Sequence, residues 1–186
     1  MAWASSQGPA CELLAVCVGA VQAYARGSRS GIDKRPVAGR VRATVSGLVG
    51  DAQGDLRVHG GPDKAIHHYP QEHSAHWQAV LGAHPLLHVP GAFGENLHTR
   101  GLTEADVCLG AHWRVGEALL EVSQARQPAC NVMREPSRVE TMPAVATIKS
   151  GSCQSAVITS ETLRFSKASK KTRFPLLVAT RVPIWP

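Results

Sequence analysis

Twelve consecutive residues, His59-Gly60-Gly61-Pro62-Asp63-Lys64-Ala65-Ile66-His67-His68-Tyr69-Pro70, restrict what the chain around them can become. Two glycines and two prolines in so short a span are not the composition of an ordinary core element. Gly60-Gly61 allows the backbone positive φ and a close approach to a ligand, and Pro62 stiffens the exit from that turn. Lys64 and the imidazoles of His59, His67 and His68 then add donors and positive charge. By itself the stretch reads as a loop suited to holding an anion.

The rest of the chain has the make-up of one folded domain spanning 1–186. With 44% apolar and 18% charged residues it is globular in composition, not disordered or fibrous. No apolar run approaches the ~20 residues needed to span a bilayer. The Leu13–Val21 run follows Glu12 instead of a basic segment, which argues against a signal peptide. The net charge of +6 is a property of the tail: Arg164, Lys167, Lys170, Lys171, Arg173 and Arg181 all follow the last acid, Glu161. A basic tail can meet nucleic acid or an acidic partner. No recognisable nucleic-acid motif accompanies it, so a solvated segment is expected, with neither nucleic acid nor membrane as partner. Cys11, Cys17, Cys108, Cys130 and Cys153 are odd in number and contain no C-x-x-C pair. That opposes a disulfide framework and a Cys-rich zinc site, and makes a reducing cytoplasm the expected compartment.

Along the chain, Leu13–Val18 is the first strand candidate. Gly27–Pro36 reads as a connecting loop. Val37–Val45 alternates, with Val37, Val41, Ala43 and Val45 on one face, as a half-buried strand does. Pro70 is placed to open a helix, in which His73, Trp77, Val80 and Leu81 share a face and Gly82 supplies the stop. Phe93–Leu97 is expected to return as a short extended segment. Thr103–Val107 looks like one capped helical turn, and His112–Val115 and Ala118–Val122 form a hairpin around Gly116-Glu117. Ala156–Thr159 and Pro175–Thr180 are further strand candidates. Short strands, glycine turns and one amphipathic helix predict a β-rich, barrel-like domain.

Two downstream stretches make the first one specific: Gly91-Ala92-Phe93-Gly94-Glu95-Asn96-Leu97, and Leu120-Glu121-Val122-Ser123-Gln124-Ala125-Arg126-Gln127-Pro128-Ala129-Cys130. In this order and at these separations the three motifs resemble the MOSC domain, the C-terminal domain of molybdenum cofactor sulfurases, in particular its bacterial YiiM type. The resemblance runs from Val37 to Cys130; residues 131–186 read as a divergent or truncated C-terminal part, in which 131–173 match the family pattern poorly. It implies a mixed α/β fold, a largely antiparallel MOSC-type β-barrel with a few short helices. It also implies the molybdenum cofactor (molybdopterin) and reduction of small N-hydroxylated substrates such as hydroxylaminopurines. A separate flavin or iron–sulfur reductase would then supply the electrons, since no such motif lies in this chain.

The chemistry of the residues agrees. A thiolate is a soft ligand suited to a high-valent, sulfur-coordinated metal, and the resemblance makes Cys130 the molybdenum ligand. Here Pro128-Ala129 precedes the cysteine, where the family pattern has proline directly before it. Arg126 can lower the Cys130 pKa or hold an anion beside it. It alternates with Gln124 on a strand, so the two share a side. His59, Gly60, Gly61 and Lys64 match the cofactor-side loop, and a glycine loop with a lysine suits a phosphate. His67 falls within the motif as a donor to the cofactor or to a substrate oxygen. Glu95 and Asn96 either hydrogen-bond the pterin or satisfy buried backbone groups.

Two rival readings remain. Cys130 could carry a persulfide, making the chain a sulfur carrier or a cofactor-binding module without turnover. A pyridoxal-phosphate role for Lys64 belongs to this reading and is weaker, because the sulfurase lysine lies in a different domain. Alternatively, His73 and His76, three apart on a helix with Glu72 adjacent, suggest a zinc-dependent hydrolase. The spacing is not H-E-x-x-H, and Trp77 and Val80 mark that face as core.

Overall fold

Short apolar runs punctuated by glycine become short strands, and the chain is accordingly mostly β. A computed structural model describes residues 11–24, 27–54, 56 and 60–124, with the main chain alone for 125–126, 145–150, 156–158 and 164–166. The strands are β1 (Glu12–Val18), β2 (Gln22–Ala23), β3 (Arg29–Ser30), β4 (Arg35–Pro36), β5 (Val41–Thr44), β6 (Gly47–Leu48) and β7 (Ile66–Pro70). There follow β8 (Leu97–Arg100), β9 (His112–Val115), β10 (Ala118–Arg126), β11 (Val145–Ser150), β12 (Ala156–Ile158) and β13 (Arg164–Ser166). One nine-residue helix, α1 (His73–Leu81), completes the described elements, with 3-10 turns at Pro62–Lys64, Pro85–His88 and Glu104–Asp106.

Eight strands form the main sheet in the order β13-β9-β10-β11-β7-β8-β1-β4, beside a three-stranded sheet β12-β5-β6 and the pair β2-β3. Among the described residues every ladder is antiparallel except β7–β8, which is parallel. The largely antiparallel, mixed character is as expected. The barrel is not: among the described residues β13 and β4 stand at the two ends and no ladder joins them. At the β4 edge Val37 donates inward to Val16 at 2.9 Å. By alternation Pro36 therefore faces outward, where it has no N–H to offer a further strand.

The expected hairpin around Gly116-Glu117 is present, with Ala118 opposite Val115. Gly116 at φ 60° makes the turn. Thr103 and Asp106 cap each other across the Glu104–Asp106 turn as expected. Gly82 ends α1, donating to the Gln78 carbonyl at 3.0 Å.

Four local expectations need correction. Pro70 closes β7 instead of opening the helix. It pairs with Thr99 of β8, while β11 on the other flank pairs only Ile66 and His67, so the missing proline N–H breaks no ladder. In α1 the buried residues are Ser74 and Trp77, and Val80 is exposed. Residues 91–94 form a turn, and the extended segment starts at Leu97. Val37–Val45 shortens to Val41–Thr44, with Val41 and Ala43 buried and Val45 exposed. Pro175–Thr180 lies outside the described residues.

Alternation on β7 divides the interior. Ile66 belongs to a core with Leu13, Val16, Leu97, Trp113, Leu120 and Val122. Tyr69, on the opposite face, belongs to a second core with Trp77, Leu87, Ala92 and Phe93. Tyr69 stacks on Phe93 with centroids 4.2 Å apart, and its hydroxyl accepts the Trp77 indole N–H. His67 and His68 thus enter different environments.

Candidate functional site

The first motif is built by close approach. A Cβ at Gly60 would lie 2.6 Å from Leu56 Cδ2 and 2.7 Å from Gln53 Oε1. Gly61 adopts φ 91°, ψ 173°, a region that essentially only glycine occupies, and a Cβ there would meet nothing within 4 Å. One glycine is required by a neighbour, the other by its own backbone, and the second faces open space. Pro62–Lys64 then makes a single 3-10 turn, closed by Lys64 N–H on the Gly61 carbonyl at 3.0 Å.

This loop is tied to the third motif. The Asp63 carbonyl accepts from Ser123 Oγ at 2.9 Å and from Gln124 Nε2 at 3.0 Å. Adjacent strand residues normally point to opposite faces. Here the β10–β11 register shifts between Val122 and Gln124, and such a bulge re-aims a side chain, letting both donors reach one oxygen. The strand continues from this anchor to Arg126. The Arg126 side chain, His59 and Cys130 lie outside the described residues.

The second motif is fixed from beneath. The fully buried Glu95 carboxylate accepts from the Gly91 N–H at 2.7 Å, the Phe93 N–H at 3.0 Å and His98 Nδ1 at 3.0 Å. Asn96 donates its N–H to the His67 carbonyl at 2.7 Å, and its Oδ1 receives the His67 N–H at 3.0 Å. On its other side Nδ2 donates to the Cys17 carbonyl at 3.0 Å. Of the two roles expected for Glu95 and Asn96, these bonds are of the kind that satisfies buried backbone groups. The turn itself admits only glycine at Gly91, where φ is 90° and a Cβ would fall 2.3 Å from the Lys34 carbonyl.

His67 joins the first two motifs. Its Nδ1 lies 3.0 Å from the Gly94 carbonyl; a carbonyl only accepts, so Nδ1 carries the proton and the neutral ring has its lone pair on Nε2. His68, one residue on, is a core histidine. Its Nε2 lies 2.6 Å from Thr99 Oγ1 and its ring sits edge-on to Trp113 at 5.0 Å. Burial, then His73 and His98, push its pKa down to about 3.

Sequence reasoning did not single out His98, Ser123 or the buried ion pair of Lys34 with Asp51, whose Oδ1 also accepts the Gly19 N–H at 2.9 Å. Nothing in spacing could have joined Lys34 to Asp51. Ser123 stood inside a quoted motif, but only the bulge gives it a role. Among the described residues the zinc alternative finds no ligand set: His73 Nε2 is held by both Glu104 oxygens at 2.8 Å, and His76 is exposed against Trp77. Among the described residues no three His, Cys, Asp or Glu side chains converge for a metal. No helix among them is long and apolar enough to cross a membrane.

The mostly β fold brings the three ordered motifs together, and the family model for the MOSC domain matches residues 55–164. The chain belongs to the MOSC domain family. It is 49% identical over 113 residues to Protein YiiM of Escherichia coli, covering 61% of this chain and 50% of that protein. It is 36% identical over 119 residues to a Gibberella moniliformis protein named Reductase, covering 62% of this chain and 21% of that one. The chain therefore spans half or less of these relatives' length. Among solved structures, YiiM from Geobacillus stearothermophilus superposes with a TM-score of 0.61 at 31% identity, covering 86% of this chain and 76% of that one.

Proposed function

We propose that this chain binds the molybdenum cofactor and serves the reduction of N-hydroxylated compounds such as hydroxylaminopurines. The observation that carries the reading is the docking of the Gly60–Lys64 loop onto β10 through the Asp63 carbonyl, which brings a phosphate-suited loop to the strand that leads toward Cys130. The fungal relative named Reductase supports the reaction type.

The residues fit the phosphate end of such a cofactor. Gly61 presents an open backbone face, and Lys64 supplies a cation three residues on. Gly60, Gly61 and Lys64 would hold the phosphate, with His59 and Gln124 flanking it, and Arg126 and Cys130 would hold the dithiolene and metal end. When bound, the cofactor supplies two-electron redox chemistry, and the protein holds and orients it. The net change is R₂N–OH + 2 e⁻ + 2 H⁺ → R₂NH + H₂O: the N–O bond breaks, nitrogen is reduced, and oxygen leaves as water. A separate flavin or iron–sulfur reductase supplies the electrons. With Nδ1 committed to Gly94, His67 can donate to a substrate or cofactor oxygen only from Nε2, as the imidazolium.

The test is metal and pterin content of protein made in a molybdenum-replete, cofactor-competent host, beside Cys130→Ala. Near-stoichiometric molybdenum and pterin, with molybdenum lost in the variant, is the expected result. Molybdenum absent from both proteins would end the reductase reading, and persulfide on Cys130 would then favour a sulfur carrier.

A further inference from the structure

Histidine tautomers in a buried site are set by the acceptor that each ring N–H meets. For His67 that acceptor is the Gly94 carbonyl, the last of a tight turn, so whatever fixes the turn fixes the ring. The Gly91–Gly94 turn has one internal anchor of its own, the Gly94 N–H on the Gly91 carbonyl at 3.0 Å. Around it, the Ala92 N–H reaches the Val89 carbonyl at 3.2 Å, Phe93 stacks on Tyr69, and the Glu95 carboxylate collects the Gly91 and Phe93 N–H groups.

A carboxylate removed from solvent costs stability unless it is paired and hydrogen-bonded. The third donor is His98 Nδ1, 3.0 Å from the same Oε1 that accepts from Gly91. His98 lies on β8, alternating with Leu97 and Thr99, whose side chains face the first core and His68. It therefore points to the His67 and Tyr69 side of the sheet. The connected path is His98 Nδ1 to Glu95, Glu95 to the turn, and the turn to His67 Nδ1.

We propose that His98 is a positioning residue for His67: through the Glu95 carboxylate it fixes the turn whose last carbonyl dictates which ring nitrogen of His67 carries the proton. The functional meaning rests on the reading that His67 serves the cofactor pocket. The structural link does not, and it can be tested without metal.

In the full chain labelled with ¹⁵N-histidine, two-bond ¹H–¹⁵N correlations give each ring's tautomer, with His67 assigned through His67→Gln. The wild type is expected to show His67 as a single Nδ1–H tautomer. In His98→Leu the Nδ1–H population should fall several-fold, while His68, its neighbour on β7, keeps its wild-type pattern and reports an intact sheet. His98→Asn should restore the wild-type signal, because its amide nitrogen stands where Nδ1 stood. An unchanged His67 pattern in His98→Leu, or a wild-type His67 in the Nε2–H form, would overturn the proposal. Should His98→Leu not fold, Glu95→Gln is read instead, since one amide cannot accept from both Gly91 and Phe93 while receiving His98; an unchanged His67 there is equally fatal. In molybdenum-loaded protein, His98→Leu should lower kcat about 10-fold at unchanged metal content, as outer-shell partners do, with recovery in His98→Asn. This arm can fail while Cys130 still binds molybdenum, and the tautomer can shift as expected in a protein that binds none.

Discussion

Asn96 grips His67 from both of its polar ends, giving its backbone N–H to the His67 carbonyl at 2.7 Å and taking the His67 N–H on Oδ1 at 3.0 Å. The remaining amide donor reaches Cys17 across the sheet at 3.0 Å. One side chain therefore completes the ladder between β7 and β1 just where β8 begins. Asn96→Ala would orphan a buried N–H and a buried carbonyl. The expected loss is about 2–4 kcal/mol in urea unfolding, since each unsatisfied buried group costs roughly 1–3 kcal/mol.

Ser123 and Gln124 donate to the same Asp63 carbonyl. Either alone can hold it, so Ser123→Ala and Gln124→Ala should each be mild, within about 1 kcal/mol. The double variant should be more than additive. Amide exchange at Asp63 and Lys64 should rise, and molybdenum content of the loaded protein should fall further than in either single variant.

Gly61 and Gly91 share nearly the same positive φ but differ in their surroundings. Gly61→Ala meets open space, so it should cost only backbone strain of about 1–3 kcal/mol. Gly91→Ala adds a collision with the Lys34 carbonyl and should cost more. Unfolding midpoints should rank the two that way, while cofactor content should fall more for Gly61→Ala than its stability loss explains.

His68 makes stability depend on acid. Its pKa is lowered to about 3 by burial, then by His73 and His98, and in the unfolded chain it returns to about 6.5. Between those values the unfolded state binds the extra proton, so stability falls as pH drops from about 6.5 toward 3, by up to about 1.4 kcal/mol per unit from this group. His68→Gln, which keeps a donor toward Thr99, should flatten the slope measured by urea unfolding between pH 5 and 7.

Cys11 and Cys17 are buried, with pKa values raised to about 12 chiefly by burial, helped at Cys11 by Glu72 and at Cys17 by Glu95. Cys108 is exposed. Native-state alkylation followed by peptide mass mapping should label Cys108 and leave Cys11 and Cys17 unmodified until urea is added.

What could be read from the sequence was whatever depends on neighbours in the chain. The β9–β10 hairpin needs only two strands and Gly116 between them. The Thr103–Asp106 cap needs only residues three apart. Gly60-Gly61 announced a tight loop because no other residue fits there. Pro70 misled because two local rules compete: proline suits a helix start, but it also suits a strand end where a neighbour has stopped pairing, and only the β11 register decides. The different fates of His67 and His68 come from the two cores that β7 separates, and His98 matters only because Glu95 lies beneath a turn. Such relations exist between elements far apart in the chain, and no periodicity records them.

The pairing of β1 with β8 joins Glu12 to Arg100, and this has a consequence while the chain is being made. At roughly 5–20 residues per second, β1 leaves the ribosome several seconds before the strand that will lie beside it. Through that interval Leu13 and Val16 are apolar residues on a strand without its β8 partner, the condition in which nascent chains stick to one another. Asn96 arrives only at the end of the wait, and with it the bonds that hold His67 against Cys17. β1 is thus secured by nearly the last residue of the second motif, and its exposure during synthesis lasts until that motif has emerged.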